Sequence, residues 1–206
     1  MVNHPNRRKF AVNDERLAEI MARHIGSGKH DSISDGLCIM EAVAYVSGNT
    51  WTDHPSCACP VISAFLRIWN DGLPNDEERD RLLKSLIPKL VGTRSTVATE
   101  KRRAVMVADW YIRVQTPAWL RLAGLTKQAD DLASFPEITD FMQCPSMMPT
   151  LKAISADASK AWAAARDAAW AAAWDAARAA AGAALKPTIT QLQISALELV
   201  ERMIAA

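Results

Sequence analysis

The chain is poor in the signals that mark β-structure. No stretch alternates apolar and polar residues over a strand length, and no Asn-Gly hairpin pair lies outside the expected helix ends. A sheet or barrel is therefore not expected. No run approaches about 18 apolar residues free of charge except the alanine tract. That tract carries Arg166, Asp167, Asp175 and Arg178, which a membrane span tolerates only at high cost. Net charge is low as well, +1 over 206 residues, which argues against bare duplex DNA as a partner. The four cysteines, two of them one residue apart, do not make a disulfide framework, so a reducing cytoplasm is expected. Behind Met1–Lys9 there is no apolar core of a signal peptide. Gly26-Ser27-Gly28-Lys29 lacks the strand and the second Gly-Lys-Ser/Thr element of a phosphate loop and reads as a turn.

What remains is helical periodicity. Asn13 or Asp14 caps a first helix whose apolar stripe is Leu17, Ile20, Met21, His24 and Ile25, with Gly26 as the stop. His24 is expected in the core. Ser34 or Asp35 caps a second helix, Leu37 to Val46, that is apolar on every side except at Glu41. A third starts at Pro60 and ends near Gly72. Asn75 and Glu78 open a fourth. A longer helix covers about residues 97–115, Pro117 breaks it, and short helices follow to Ala133. Asp109 and Arg113 stand one turn apart and pair, and Arg113 and Arg121 belong to an arginine-rich third whose first reading is a solvated face.

The segment Asp35–Asp71 concentrates the chemistry. Cys38, Glu41 and Tyr45 share a face, and a carboxylate withdrawn from water must be paired, hydrogen-bonded or protonated. The loop Trp51–Pro60 adds Asp53, His54, Cys57 and Cys59, the cysteines at a helix N-terminus that favours a thiolate. Three readings stand. In the structural one, Glu41 pairs with Arg67 or caps loop N–H groups while His54 and the cysteines pack. In the second, Cys38, His54, Cys57 and Cys59 hold zinc, although the Cys-x-Cys spacing and the lack of a second pair fit zinc poorly. In the third, Cys57 is a nucleophile, His54 its base, and Glu41 or Asp53 the orienter.

The strings Asp35-Gly36-Leu37-Cys38-Ile39-Met40-Glu41, Trp51-Thr52-Asp53-His54-Pro55-Ser56-Cys57, Pro60-Val61-Ile62 and Trp69-Asn70-Asp71 resemble a group of hypothetical proteins in actinobacteria and their phages. The likeness extends through Leu86-Ile87-Pro88 and Gly92-Thr93-Arg94 into the C-terminal tract. It implies a phage or actinobacterial setting and carries no mechanism.

The tract from Ser155 to Leu185 is low in complexity and strongly helical. At 100° per residue it has an alanine strip, a charged strip of Asp157, Lys160, Asp167, Asp175 and Arg178, and a third face bearing Trp162, Trp170 and Trp174 with Arg166 between them; the expected partner-binding set is Trp162, Arg166, Trp170, Trp174 and Arg178. Tryptophan with arginine is the pairing enriched at binding hot spots. Gly182 and Pro187 are expected to close this helix, and Thr188 to cap a last one.

The expected architecture is thus all-α, a multi-helix globular bundle with a long Ala/Trp-rich C-terminal helix folded back as a hairpin. Residues 1–12 form a flexible basic arm, 13–134 a helical core, 135–150 a proline-containing connector and 151–206 the hairpin. The expected function is non-catalytic: binding a protein partner, or a second copy, through the Trp/Arg face, without cofactor or membrane, nucleic acid being the weaker partner class. The alternative is a small-molecule enzyme or zinc protein centred on Glu41, His54 and Cys57.

Overall fold

The computed structural model describes residues 10–171 and 174–206, with the side chains of position 162 and positions 164–183 left aside. Among the described residues there is no strand, and the chain is all-α. The helices are α1 (Asp14–Met21), α2 (Ile39–Val46), α3 (Pro60–Gly72), α4 (Asp76–Leu83), α5 (Ile87–Leu90), α6 (Val97–Trp110), α7 (Thr116–Leu122), α8 (Thr126–Ala133), α9 (Cys144–Ala171) and α10 (Trp174–Ala205). They fall into two compact units, Met1–Ala104 with Val200–Ala206, and Val105–Leu199.

In the first unit α2 is buried on all sides but that of Tyr45, as its uninterrupted apolar sequence requires. Helices α1, α3 and α5 pack against it, and Ile20, Ile25, Ile62, Leu66, Leu83, Leu86, Ile87 and Leu90 of this unit are all fully buried. Side chains meet the helix ends as the sequence indicates at two sites: Asn13 accepts from the Arg16 N–H at 2.9 Å, and Asn75 from the Glu78 N–H at 2.9 Å.

Three helix boundaries between Asp14 and Leu122 differ from expectation. The first helix stops at Met21 rather than Gly26, because His24 turns outward to Asp80 and is largely exposed. The second starts at Ile39 with Cys38 as its cap; Asp35 instead accepts from the Ser32 hydroxyl. Around Pro117 the chain does not break. A π-helical turn at Tyr111–Gln115 passes straight into α7, with the Thr116 N–H bonded five residues back to the Tyr111 carbonyl. Proline has no N–H to offer at that point, and a widened turn absorbs the missing bond.

The second unit packs α7 on α8, with Leu120, Ala129, Leu132 and Ile154 as its buried cluster and Val105, Ile138 and Met147 as a second. The Trp110 indole donates to the Ser195 hydroxyl at 3.0 Å, linking α6 to α10. Helix α9 begins at Cys144, inside the stretch expected as a connector, and α10 runs unbroken through Gly182 and Pro187, where a helix end was expected. The expected hairpin turn therefore does not lie at Gly182–Pro187.

Arginines finish several of these helices. Arg79, buried, donates to the Asn70 and Leu73 carbonyls at 2.8 and 2.7 Å and closes α3. Arg103, with no exposed surface, donates to the Met203 carbonyl at the end of α10 and to the Thr93 carbonyl, both at 2.6 Å, and Arg102 reaches the Ala206 oxygen at 2.6 Å. A cation at a helix C-terminus meets orphan carbonyls and the negative end of the dipole together. Arg103→Leu leaves two carbonyls without their donor, each worth about 1–3 kcal/mol when buried, so we expect a loss of about 2–4 kcal/mol in urea unfolding. Arg102→Ala, at an exposed position, is expected to cost less than about 1 kcal/mol. Equal midpoints for the two variants would show that Arg103 does not anchor the end of α10.

Candidate functional site

Glu41 is the centre of the first unit's polar network. It sits at the third position of α2 with no exposed surface. Its Oε2 accepts the Cys38 N–H at 2.8 Å, the side-chain half of a capping box in which cysteine replaces the usual serine or threonine. Its Oε1 accepts the His30 N–H at 2.7 Å, and Oε2 meets His30 Nδ1 at 2.9 Å. With the carboxyl ionised, His30 carries its proton on Nδ1 and donates it. The carboxylate thus has donors on both oxygens without an arginine. Arg67 goes elsewhere, to the Asp53 carbonyl at 3.0 Å and, at 4.0 Å, to its carboxylate.

His30 was not among the candidates read from the sequence, yet it is held on every side. Its carbonyl accepts the Trp51 indole N–H at 2.9 Å. Its ring lies over Gly36, where φ is +130° and an added Cβ would come within 2.5 Å of the imidazole Cδ2. Glycine is required there by backbone angle and by space alike. The available signals were indirect: a buried carboxylate that needed donors, and glycines at positions 26, 28 and 36 flanking a histidine.

The same loop, between Met21 and Ile39, is pinned at three further points. Asp80 Oδ1 accepts the Ile25 N–H at 2.9 Å, Asp71 Oδ1 accepts the Gly28 N–H at 2.7 Å, and the buried Asn70 amide donates to the Gly26 carbonyl at 3.0 Å. Burial alone would push the Asp80 carboxyl up. The Ile25 N–H, Lys84 and His24 outweigh that and hold it below the usual carboxylate range. The segment is long for a loop without regular structure, and side chains from α2, α3 and α4 give it its shape.

The residues expected to do chemistry are not gathered. His54 is exposed, its Nδ1 on Asp53 Oδ1 at 2.7 Å. The Asp53 carboxyl is raised by burial but lowered further by the His54 bond and charge and by Arg67, and ends low. Cys57 has no exposed surface, and its thiol donates to the Ser47 hydroxyl at 3.2 Å rather than to His54. Burial raises the Cys57 thiol despite the bond to Ser47 and the nearby backbone N–H groups, and burial with the Glu41 charge takes Cys38 up to about 12. The expected thiolate at the start of α3 is therefore corrected: desolvation outweighs the helix dipole. Cys59 is the buried N-cap of α3, its N–H given to the Thr93 hydroxyl at 3.0 Å. Glu41 orients His30 rather than His54. No group of three or more His, Cys, Asp or Glu suited to a metal ion occurs among the described residues, so Cys38, His54, Cys57 and Cys59 are not assembled as ligands. The expected partner-binding side chains, Trp162, Arg166, Trp170, Trp174 and Arg178, lie outside the described residues.

Comparison with protein-family models, curated proteins and solved structures finds no match. Among the described residues no helix is long and apolar enough to cross a membrane.

The burial of Cys57 sets a measurable expectation. Its alkylation by iodoacetamide in the native protein should be slow at neutral pH and half-maximal only above the range of an ordinary thiol. Denaturation should release it. Rapid native modification of Cys57 below pH 7 would return the residue to the nucleophile reading.

Proposed function

We propose that this chain is a non-catalytic helical protein that binds a protein partner, or a second copy of itself, through the Trp/Arg face around Trp162, Arg166, Trp170, Trp174 and Arg178. The sequence observation that carries the reading is that tract. It places large aromatic rings and guanidinium groups on one side of a helix and a smooth alanine strip on another. Support comes also from the first unit. There the carboxylate and thiols that an enzyme would use are engaged in holding the fold: Glu41 by the His30 and Cys38 N–H groups, Cys57 by Ser47. The resemblance to actinobacterial and phage proteins makes a phage-type role in the bacterial cytoplasm the proposed setting.

Trp170→Ala combined with Trp174→Ala is the direct test. Cross-linking and light scattering of the wild type should give a self-associated or partner-bound species. The double variant should lose it while keeping the helical signal of residues 13–134. A soluble, folded double variant with unchanged mass and unchanged partner capture would remove the reading.

A further inference from the structure

We infer that the second unit carries a binding groove for a small carboxylate with an apolar body, between the turn that contains Arg113 and the middle of α10. The groove encloses about 360 Å³, within the range of small-molecule sites. Arg113 and Arg121 line it, with Val114 and Leu122 beside them and Thr188 and Gln191 opposite on α10. Every lining residue belongs to the second unit.

Three independent observations converge here. The first is the backbone. Arg113 is the central residue of the π-turn Tyr111–Gln115, which the chain forms ahead of Pro117 and which widens the helix where this side chain leaves it. The second is the state of the guanidinium. Arg113 Nε is shielded from water and has no hydrogen-bond partner. Its Nη1 stands 3.4 Å from Asp109 Oδ1, a long contact, and that oxygen already accepts the Ile138 N–H at 2.9 Å. Yet the side chain is 27% exposed, so rotation about its terminal bonds can present its donors to the groove. A planar cation whose Nε is uncommitted and whose Nη1 contact is long suits a carboxylate, which a guanidinium can hold in a bidentate fork. The third is the apolar wall. Val114 and Leu122 are 39% and 38% exposed, large side chains left open beside the charge.

Charge selects the ligand class. No aspartate or glutamate lines the groove among the described residues. Arg121 pairs at 2.7 Å with Asp130, but both are exposed, and such a pair is held weakly enough to exchange. Thr188 and Gln191 supply polar groups at the far side, and the aliphatic stems of the arginines extend the apolar surface.

The test is calorimetric titration of the full chain with octanoate, alongside octanol and octylamine. We expect saturable binding of one octanoate per chain, at least tenfold tighter than octanol, with no binding of octylamine. Arg113→Gln should weaken octanoate at least tenfold with unchanged circular dichroism, and added salt should weaken it further. Arg121→Gln, at an exposed position, serves if Arg113→Gln does not fold, and should weaken octanoate as well. Octanoate binding no tighter than octanol, or folded variants that bind as the wild type does, would overturn the assignment. A stoichiometry well above one would mark nonspecific surfactant adsorption and would overturn it too.

Discussion

A carboxylate sealed from water must find donors or lose its charge, and Glu41 finds them in a loop. Its two oxygens take the main-chain N–H groups of His30 and Cys38 and the His30 imidazole. That single requirement couples α2, buried on all sides but that of Tyr45, to the long segment that precedes it. It also accounts for residues with no other evident reason. Gly36 is there because the imidazole needs the space, and Trp51 is half-buried because its indole holds the His30 carbonyl. A buried ionic group is weak evidence for stability in itself, since a hydrophobic replacement can do as well. Its value here is shape: it fixes where a loop without regular structure runs.

The rest of the first unit repeats the device with other residues. Short helices leave many unpaired backbone groups relative to their length. Here side chains from neighbouring segments meet them. Arg16 donates to the Tyr45 carbonyl at the end of α2, Arg79 closes α3, Lys84 reaches the Met21 carbonyl at the end of α1, and Arg103 closes α10. At the N-terminal ends Asn70 and Thr93 accept the Ile39 and Cys59 N–H groups. Much of the charge in this unit is thus structural. Among the described residues two guanidinium nitrogens are buried without a partner, Arg103 Nη2 in the first unit and Arg113 Nε in the second, and of the two only the Arg113 side chain borders the open groove.

Helix type and approximate extent were readable from periodicity, because local propensity and burial agree in α2, α4 and α8. The Asn13 and Asn75 caps were readable for the same reason: the cap and its partner are three residues apart. The misreadings have a common cause in long-range contacts. His24 continues the apolar stripe of α1 by spacing, but Asp80, far along the chain, draws it out. His30 and Glu41 are far enough apart that no helical face relates them, and a loop conformation had to be known before they could be joined. Cys57 was placed correctly near a helix start, but its complete burial reverses the expected effect of the dipole. Pro117 and Pro187 were read as breaks from local chemistry, while the chain accommodates both within helical segments.

Glu41 holds the loop between α1 and α2 in place through the His30 and Cys38 N–H groups. Hydrogen–deuterium exchange, read residue by residue in the wild type and in Glu41→Gln, tests it directly. The His30 and Cys38 amides, protected in the wild type, should exchange at least tenfold faster in the variant. Amides deep in α3, such as that of Leu66, should change far less. Equal protection of His30 and Cys38 in both proteins would contradict it, as would uniform loss across the whole unit, since the carboxylate would then not be a local anchor.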